Sequence, residues 1–296
     1  MIIDFRYHVV TLVAIFLALG LGIIIGTNLG KTVNLQLEKQ IDRLEMTYDK
    51  IREDQRLLRT SLQLKEDELA IANQFQKAIL PQIISNKLSG KRVAIIRTNN
   101  SIDFKYAQNL ANILKLAGAE VATITTFNSA LNLADPQFKS ELINSLDLTE
   151  LPEKELLTQI YQKIILAIVT GENNPSLQYL QSKTFLQLSG NYQLGFADTL
   201  IFLGGGMSSN SNLQKELDVP LLDAARKTQA TVIGVEPSFI PESYMRLYQS
   251  RCKSTIDNIE TTPGQVSLIY LLFSGKTGHY GLKETARELM PTIKFN

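Results

Sequence analysis

Thr199-Leu-Ile-Phe-Leu203 is followed by Gly204-Gly-Gly-Met-Ser-Ser-Asn210, by a helical pattern over 212–228, and by Thr231-Val-Ile-Gly-Val235. Two short, apolar, β-branched runs on either side of one helix read as a βαβ unit, because parallel strands can be joined only by a long crossover. Working outward, the same texture repeats. Val93-Ala-Ile-Ile96 forms a strand after Lys91-Arg92, a helical run from Phe104 to Ala117 stops at Gly118, and Val121 to Phe127 is again β-rich. Helical patterns occupy 153–169 and 176–188, and a hydrophobic helix covers 264–273. Strands alternating with helices predict an α/β domain over 91–296, with a mostly parallel, Rossmann-like sheet and helices on both faces.

Open parallel sheets place ligands beyond the carboxyl ends of their strands. The first strand runs into Arg97-Thr-Asn-Asn-Ser-Ile-Asp103, which has neither the dinucleotide fingerprint nor a Walker loop. The turn at Gly204, Gly205, Gly206 and Ser208 has two readings. Its amides can cradle an anion, or its glycines can serve a tight turn with close backbone packing. Glu236-Pro237 ends another strand, with no partner identifiable from the sequence.

The chain of 296 residues carries one cysteine, two histidines and a net charge of +1. One cysteine excludes an intrachain disulfide framework and a multi-cysteine zinc site. The balanced charge removes the electrostatic case for nucleic-acid binding. His8 abuts an apolar run, which leaves His279 alone as a candidate base, and no serine sits in a G-x-S-x-G elbow. Cys252 lies between Arg251 and Lys253, which would lower its pKa, although a small, semi-buried residue is the simpler reading. Met46, Met207, Met245 and Met290 are scattered in sequence, whereas Cu(I) favours grouped sulfur ligands. We therefore expect no enzyme activity, no cofactor and no intrachain metal site.

The charge is unevenly spread. From Tyr7 to Gly30 there is no Asp, Glu, Lys or Arg, and Val9 to Ile25 has only Thr11 as a polar residue. About twenty helical residues at 1.5 Å each cross a hydrocarbon core of roughly 30 Å, so residues 1–30 read as a short tail and a transmembrane anchor. A cleaved signal peptide fits less well, because Gly26-Thr27-Asn28 is a poor cleavage site. Ala14, Ala18, Gly22, Gly26 and Gly30 recur every fourth position, a small-residue stripe of the kind that packs membrane helices. Arg6 and the amino terminus precede the anchor, while Lys31, Lys39 and Arg43 follow it, so the charge count alone does not orient it. A very short tail suits a signal anchor, with the N-terminus cytoplasmic and the body outside.

Residues 31–80 carry nine basic and nine acidic residues. Steps of four and three from Leu37 reach Ile41, Leu44, Tyr48, Ile51, Gln55, Leu58, Leu62, Lys65, Leu69, Ala72, Gln76 and Ile79. A 3.5-residue apolar period sustained over this length predicts a coiled-coil stalk and a parallel homodimer or coiled-coil partner. The other reading is a lone amphipathic helix lying along the globular domain. A helical stalk would be on the order of 70 Å long. Pro81 is expected to end the helix, with a polar link over 81–90.

Two stretches resemble a known family. Phe5-Arg-Tyr-His-Val-Val-Thr-Leu-Val-Ala-Ile-Phe-Leu-Ala-Leu-Gly-Leu-Gly-Ile-Ile-Ile-Gly26, with Arg6, Tyr7 and His8 at its head, resembles the amino terminus of the copper transport protein B (MctB-like) family of bacterial envelope proteins. Ile256-Asp-Asn-Ile-Glu-Thr-Thr-Pro-Gly-Gln265, containing Pro263 and Gly264, resembles its carboxyl-terminal signature, as does Gly278-His-Tyr-Gly281, with His279 and Tyr280. The resemblance implies copper transport or homeostasis through an outer-membrane channel. Through SteB-type relatives it also implies a division-associated membrane protein working with a SteA-like partner. A pore calls for a closed barrel of alternating strands; an apolar helix and a parallel-sheet pattern fit the second implication better. The sequence thus points to a single-pass protein of the bacterial cell membrane, in contact with the lipid bilayer, that presents an α/β domain on a stalk.

Overall fold

A computed structural model describes residues 5–171, 175–192, 195–207 and 213–293. The chain divides into two compact units, Met1–Asn73 and Gln74–Asn296.

The described residues of the first unit lie within one helix, α1 (Phe5–Ile84). Among the described residues, Arg6–Thr27 is the one segment long and apolar enough to cross a membrane. Pro81 does not end the helix; it lies inside its last turn. The Pro81 carbonyl accepts Ser85 N at 3.0 Å, and burial of Leu80 and Ile84 holds the turn in place. The following link is also secured: Leu88 is fully buried and its N–H donates to the Ala117 carbonyl at 2.7 Å.

The second unit is built on seven strands, in the order β3-β2-β1-β4-β5-β6-β7. These are β1 (Arg92–Arg97), β2 (Glu120–Phe127), β3 (Leu186–Gly190), β4 (Thr199–Leu203), β5 (Thr231–Val235), β6 (Ser254–Ile256) and β7 (His279–Tyr280). All pairings are parallel except β2 with β3. The sheet is therefore mostly parallel, as the sequence pattern predicts.

Alternating strand residues face two cores. Ala94, Ile96, Leu200 and Phe202 meet α4 (Glu153–Thr170), α5 (Pro175–Ser182), α6 (Val219–Ala225) and α7 (Met245–Arg251). Val93, Ile95, Ile201, Leu203, Ile233 and Val235 meet α2 (Phe104–Leu116) and α8 (Thr262–Ser274), together with Leu80 and Ile84. In α4 the inward stripe includes Leu156, Ile160, Ile164 and Ile168, whereas α8 is buried on most of its faces. An additional helix, α3 (Pro136–Ser145), starts where the Asp135 side chain accepts Gln137 N at 3.0 Å with Pro136 in the first turn.

The helical pattern over 176–188 proves too long. Helix α5 stops at Ser182, Thr184 turns the chain with φ +62°, and Leu186–Gly190 becomes the antiparallel edge strand. Gly190, at φ +102°, lies so close to β2 that a Cβ would sit 2.4 Å from the Ala122 carbonyl oxygen.

Candidate functional site

The chain reverses its order of strands between β1 and β4, and the carboxyl ends of those strands form the expected crevice. It is filled by the protein's own side chains. Thr98 N donates to the Leu203 carbonyl at 3.1 Å, and Asn99 Nδ2 donates to the Gly205 carbonyl at 3.1 Å. Asp218, fully buried in the π-turn Gln214–Asp218 ahead of α6, accepts Thr98 Oγ1 at 2.8 Å and Tyr248 OH at 2.5 Å on Oδ1. Burial raises the Asp218 carboxyl from its ordinary 3.8 to about 7, although the Tyr248 and Thr98 donors pull it down. Tyr248 is raised well above its ordinary value by the same burial and by Asp218.

The glycine turn is shaped by this packing. A Cβ on Gly204 would meet Tyr248 OH at 1.9 Å, and one on Gly205 would meet Ile240 at 2.7 Å. On Gly206 it would meet Glu242 Oε2 at 2.7 Å. These three positions show close backbone packing against side chains; Ser208 lies outside the described residues.

A second polar cluster ends β5, β6 and β7, and it gathers the carboxyl-terminal motif residues. Glu236 follows β5 directly. Its Oε1 accepts Ser243 Oγ and Lys283 Nζ, both at 2.5 Å, and its Oε2 accepts Tyr244 N at 2.8 Å. Burial raises the Glu236 carboxyl, with Lys283 the largest opposing influence. Asp257 follows β6 and accepts Leu282 N at 2.6 Å and Lys283 N at 3.2 Å. Burial raises this carboxyl as well, against those amides. A Cβ on Gly281, at φ +146°, would stand 1.9 Å from Asp257 Oδ1, so the last residue of Gly278-His-Tyr-Gly281 makes room for the carboxylate. A Cβ on Gly264 would stand 2.1 Å from the Asn258 carbonyl oxygen, which lets the start of α8 close on the end of β6. Pro263 is in the first turn of α8, capped by Thr261, whose Oγ1 accepts Gly264 N at 3.3 Å. His279 and Tyr280 form β7, with His279 Nδ1 3.0 Å from Thr255 Oγ1 and the ring's pKa lowered by burial. The two motif segments thus build one hydrogen-bonded corner.

Cys252 is buried, and desolvation raises its thiol to about 12 despite Arg226 and Arg251. Met245 and Met290 pack in the cores on opposite faces of the sheet, and Met207 is exposed. Among the described residues, no three His, Cys, Asp or Glu side chains converge on one point.

In the first unit, Ala14, Ala18, Gly22 and Gly26 lie along the apolar segment, and Gly30 continues the same helix. Outside the helix itself, no atom lies within 4 Å of where a Cβ on Gly22 or Gly26 would stand. Arg6, Tyr7 and His8 form its first turn, with the Tyr7 and His8 carbonyls accepting Thr11 Oγ1. Along the stalk, Leu37, Ile41, Leu44, Tyr48, Ile51, Leu58, Leu62 and Leu69 are each 50–69% exposed, and Ile79 is half-buried.

Sequence reasoning missed Asp218, Thr98, Tyr248 and the Glu236–Lys283 pair. An acid flanked by Leu217, Val219 and Pro220 was a readable sign of burial; its partners, 30 and 120 residues away, were not.

The family model for the copper transport outer membrane protein MctB matches residues 2–291. Proteins named copper transporter MctB from Mycobacterium bovis and Mycobacterium tuberculosis are each 24% identical over 315 residues, covering 94% of this chain and 96% of theirs. The crystal structure of the TFIIH p34 N-terminal domain aligns at 14% identity, covering 64% of this chain and 99% of its own, with a TM-score of 0.27.

The buried Asp218 gives a pH prediction. The folded state keeps this proton up to about pH 7, whereas the unfolded chain releases it near 3.8, so its contribution is lost as pH rises between those values. Asp218→Asn should flatten the fall in stability from pH 4 to 7, measured by urea unfolding followed through far-UV circular dichroism. An unchanged slope would show that Asp218 is already ionised in the folded protein.

Proposed function

The chain belongs to the MctB family of copper transport outer membrane proteins, and from that premise we propose that it is a single-pass, non-enzymatic scaffold. It presents its α/β domain to cell-envelope or division partners on a parallel coiled-coil homodimer. The observation that carries this reading is the exposed row from Leu37 to Leu69 at 3.5-residue spacing. Such a row gains about 1.5–3 kcal/mol for each Leu or Ile that a second helix fully covers. The globular unit supports the same reading. Among the described residues its sheet is open, with distinct edges at β3 and β7 and side-chain cores on both faces, and it encloses no lumen. A SteA-like division partner is the class of protein such a stalk would engage. The N-terminus is cytoplasmic and the body extracytoplasmic in this scheme, and nucleic acid has no role in it.

In the full chain carrying Cys252→Ser, cysteines replacing Leu44 and Leu58 should each give covalent dimers in membranes on mild oxidation, while Thr60→Cys should not. Crosslinking at Leu44 and Leu58 together requires parallel chains, since antiparallel ones bring only one level face to face with its copy. Equal crosslinking at all three positions, or none at the two leucines, would defeat the homodimer. Alkaline phosphatase fused after Asn296 should be active in cells; an inactive fusion with an active cytoplasmic reporter at the same junction would reverse the orientation.

The relatives' names favour a second reading, in which the chain serves copper homeostasis and copper is cargo. Deleting the gene should then raise cellular copper and copper sensitivity. Unchanged copper content, measured by mass spectrometry, would leave the scaffold role standing alone.

A further inference from the structure

The amino-terminal edge of the sheet, opposite the glycine turn, carries a groove of about 720 Å³, within the size range of small-ligand sites. Its walls come from the starts of β4, β5 and β6 and from the carboxyl ends of α6, α7 and α8. Five cations line it: Lys91, Arg226, Arg251, Lys253 and Lys276. No Asp or Glu is among the lining residues. Only Arg251 is held by a carboxylate, with Nε 3.2 Å from Asp223 Oδ1, and Lys276 donates to Tyr270 OH at 3.3 Å. Among the described residues, no ion pair engages Lys91, Arg226 or Lys253, and all three are exposed.

Cations do gather where helices end, because each carboxyl end carries about half a negative charge. That accounts for only part of this cluster. Three helix ends, about half a charge each, and the Asp223 carboxylate offset no more than half of the five positive charges. The remainder faces a concave surface that Thr277 also lines. A guanidinium offers two parallel donors to a phosphate, and flanking ammonium groups add point charges. We infer that this groove binds a phosphate-bearing polyanion, with Arg226 and Lys253 as its principal contacts and Lys91 beside them.

A soluble polyphosphorylated ligand and a clustered phospholipid headgroup share this chemistry, so the test has two arms. Full-length protein in phosphatidylcholine nanodiscs is titrated with inorganic tripolyphosphate by calorimetry. The same nanodiscs are floated with vesicles of phosphatidylglycerol in phosphatidylcholine. Saturable, salt-sensitive binding in either arm is expected, weakened about ten-fold or more, the equivalent of 1.4 kcal/mol, in Arg226→Gln/Lys253→Gln. The control Lys115→Gln/Lys139→Gln, on other helices, should bind like the wild type. Tripolyphosphate binding alone assigns a soluble ligand, and vesicle binding alone a headgroup. Absence of binding in both arms, or equal weakening by the control pair, overturns the proposal. So does unaltered binding by the Arg226/Lys253 variant when its thermal unfolding matches the wild type. If that variant melts early, Lys91→Gln/Lys253→Gln applies the same criterion.

Discussion

A carboxylate removed from water must be supplied with donors by the chain itself, and Glu236 meets that demand with a hydroxyl, a backbone amide and an ammonium group. The donors come from two separate stretches. Ser243 and Tyr244 lead into α7, and Lys283 lies beyond β7. Asp257 takes the consecutive amides of Leu282 and Lys283, so this segment is pinned from the ends of two strands at once. The closing strand β7 has only two residues and could not hold its place by ladder bonds alone. Two buried acids at the ends of β5 and β6 thus fix the far edge of the sheet. Asp257 also explains why a glycine is needed at 281, and the adjacent Asn258 carbonyl explains the one at 264.

The layout was legible wherever one periodicity ruled a long run. Val93 to Ile96, Thr199 to Leu203 and Thr231 to Val235 are strands whose side chains are buried on both faces, so their apolar runs are nearly continuous. The helical stripe of 153–169 was equally clear. Short elements were not, because three residues in Ser254–Ile256 or two in His279–Tyr280 give no period to count. Leu186-Gln-Leu188 alternates as a strand should, yet it directly follows a true helix and its pattern merged with that signal. Pro81 shows the limit of a local rule: tertiary burial of Leu80 and Ile84 carried the helix past it.

The candidate site was legible in a different sense. Motif residues in Ile256 to Gln265 and Gly278 to Gly281 pointed to the right corner of the molecule, but sequence could not say what they do there. The structure gives Gly264 and Gly281 steric reasons and gives Asp257 a hydrogen-bonding one. Asp218 was invisible as a site residue because its meaning depends on Thr98 and Tyr248, brought together only by the crossovers between β1, β4 and β5. The helices that lead into β5, β6 and β7 run back towards the amino edge of the sheet, where their ends meet the cations of the groove.

The proposed homodimer would hold a geometric tension along its shared helix. Small residues spaced by four, as at Ala14, Ala18, Gly22 and Gly26, fall behind the 3.6-residue turn in one sense. A seam spaced by 3.5, as from Leu37 to Leu69, drifts in the other. Paired helices following the first stripe cross with a right-handed geometry near −40°, and those following the second wind left-handed near +20°. Two copies paired along both stripes would therefore reverse their handedness between Gly26 and Leu37. A twist applied to one segment would reach the other as a change in the spacing of the pair at that junction, so the same helix would serve as anchor, spacer and torsional coupling.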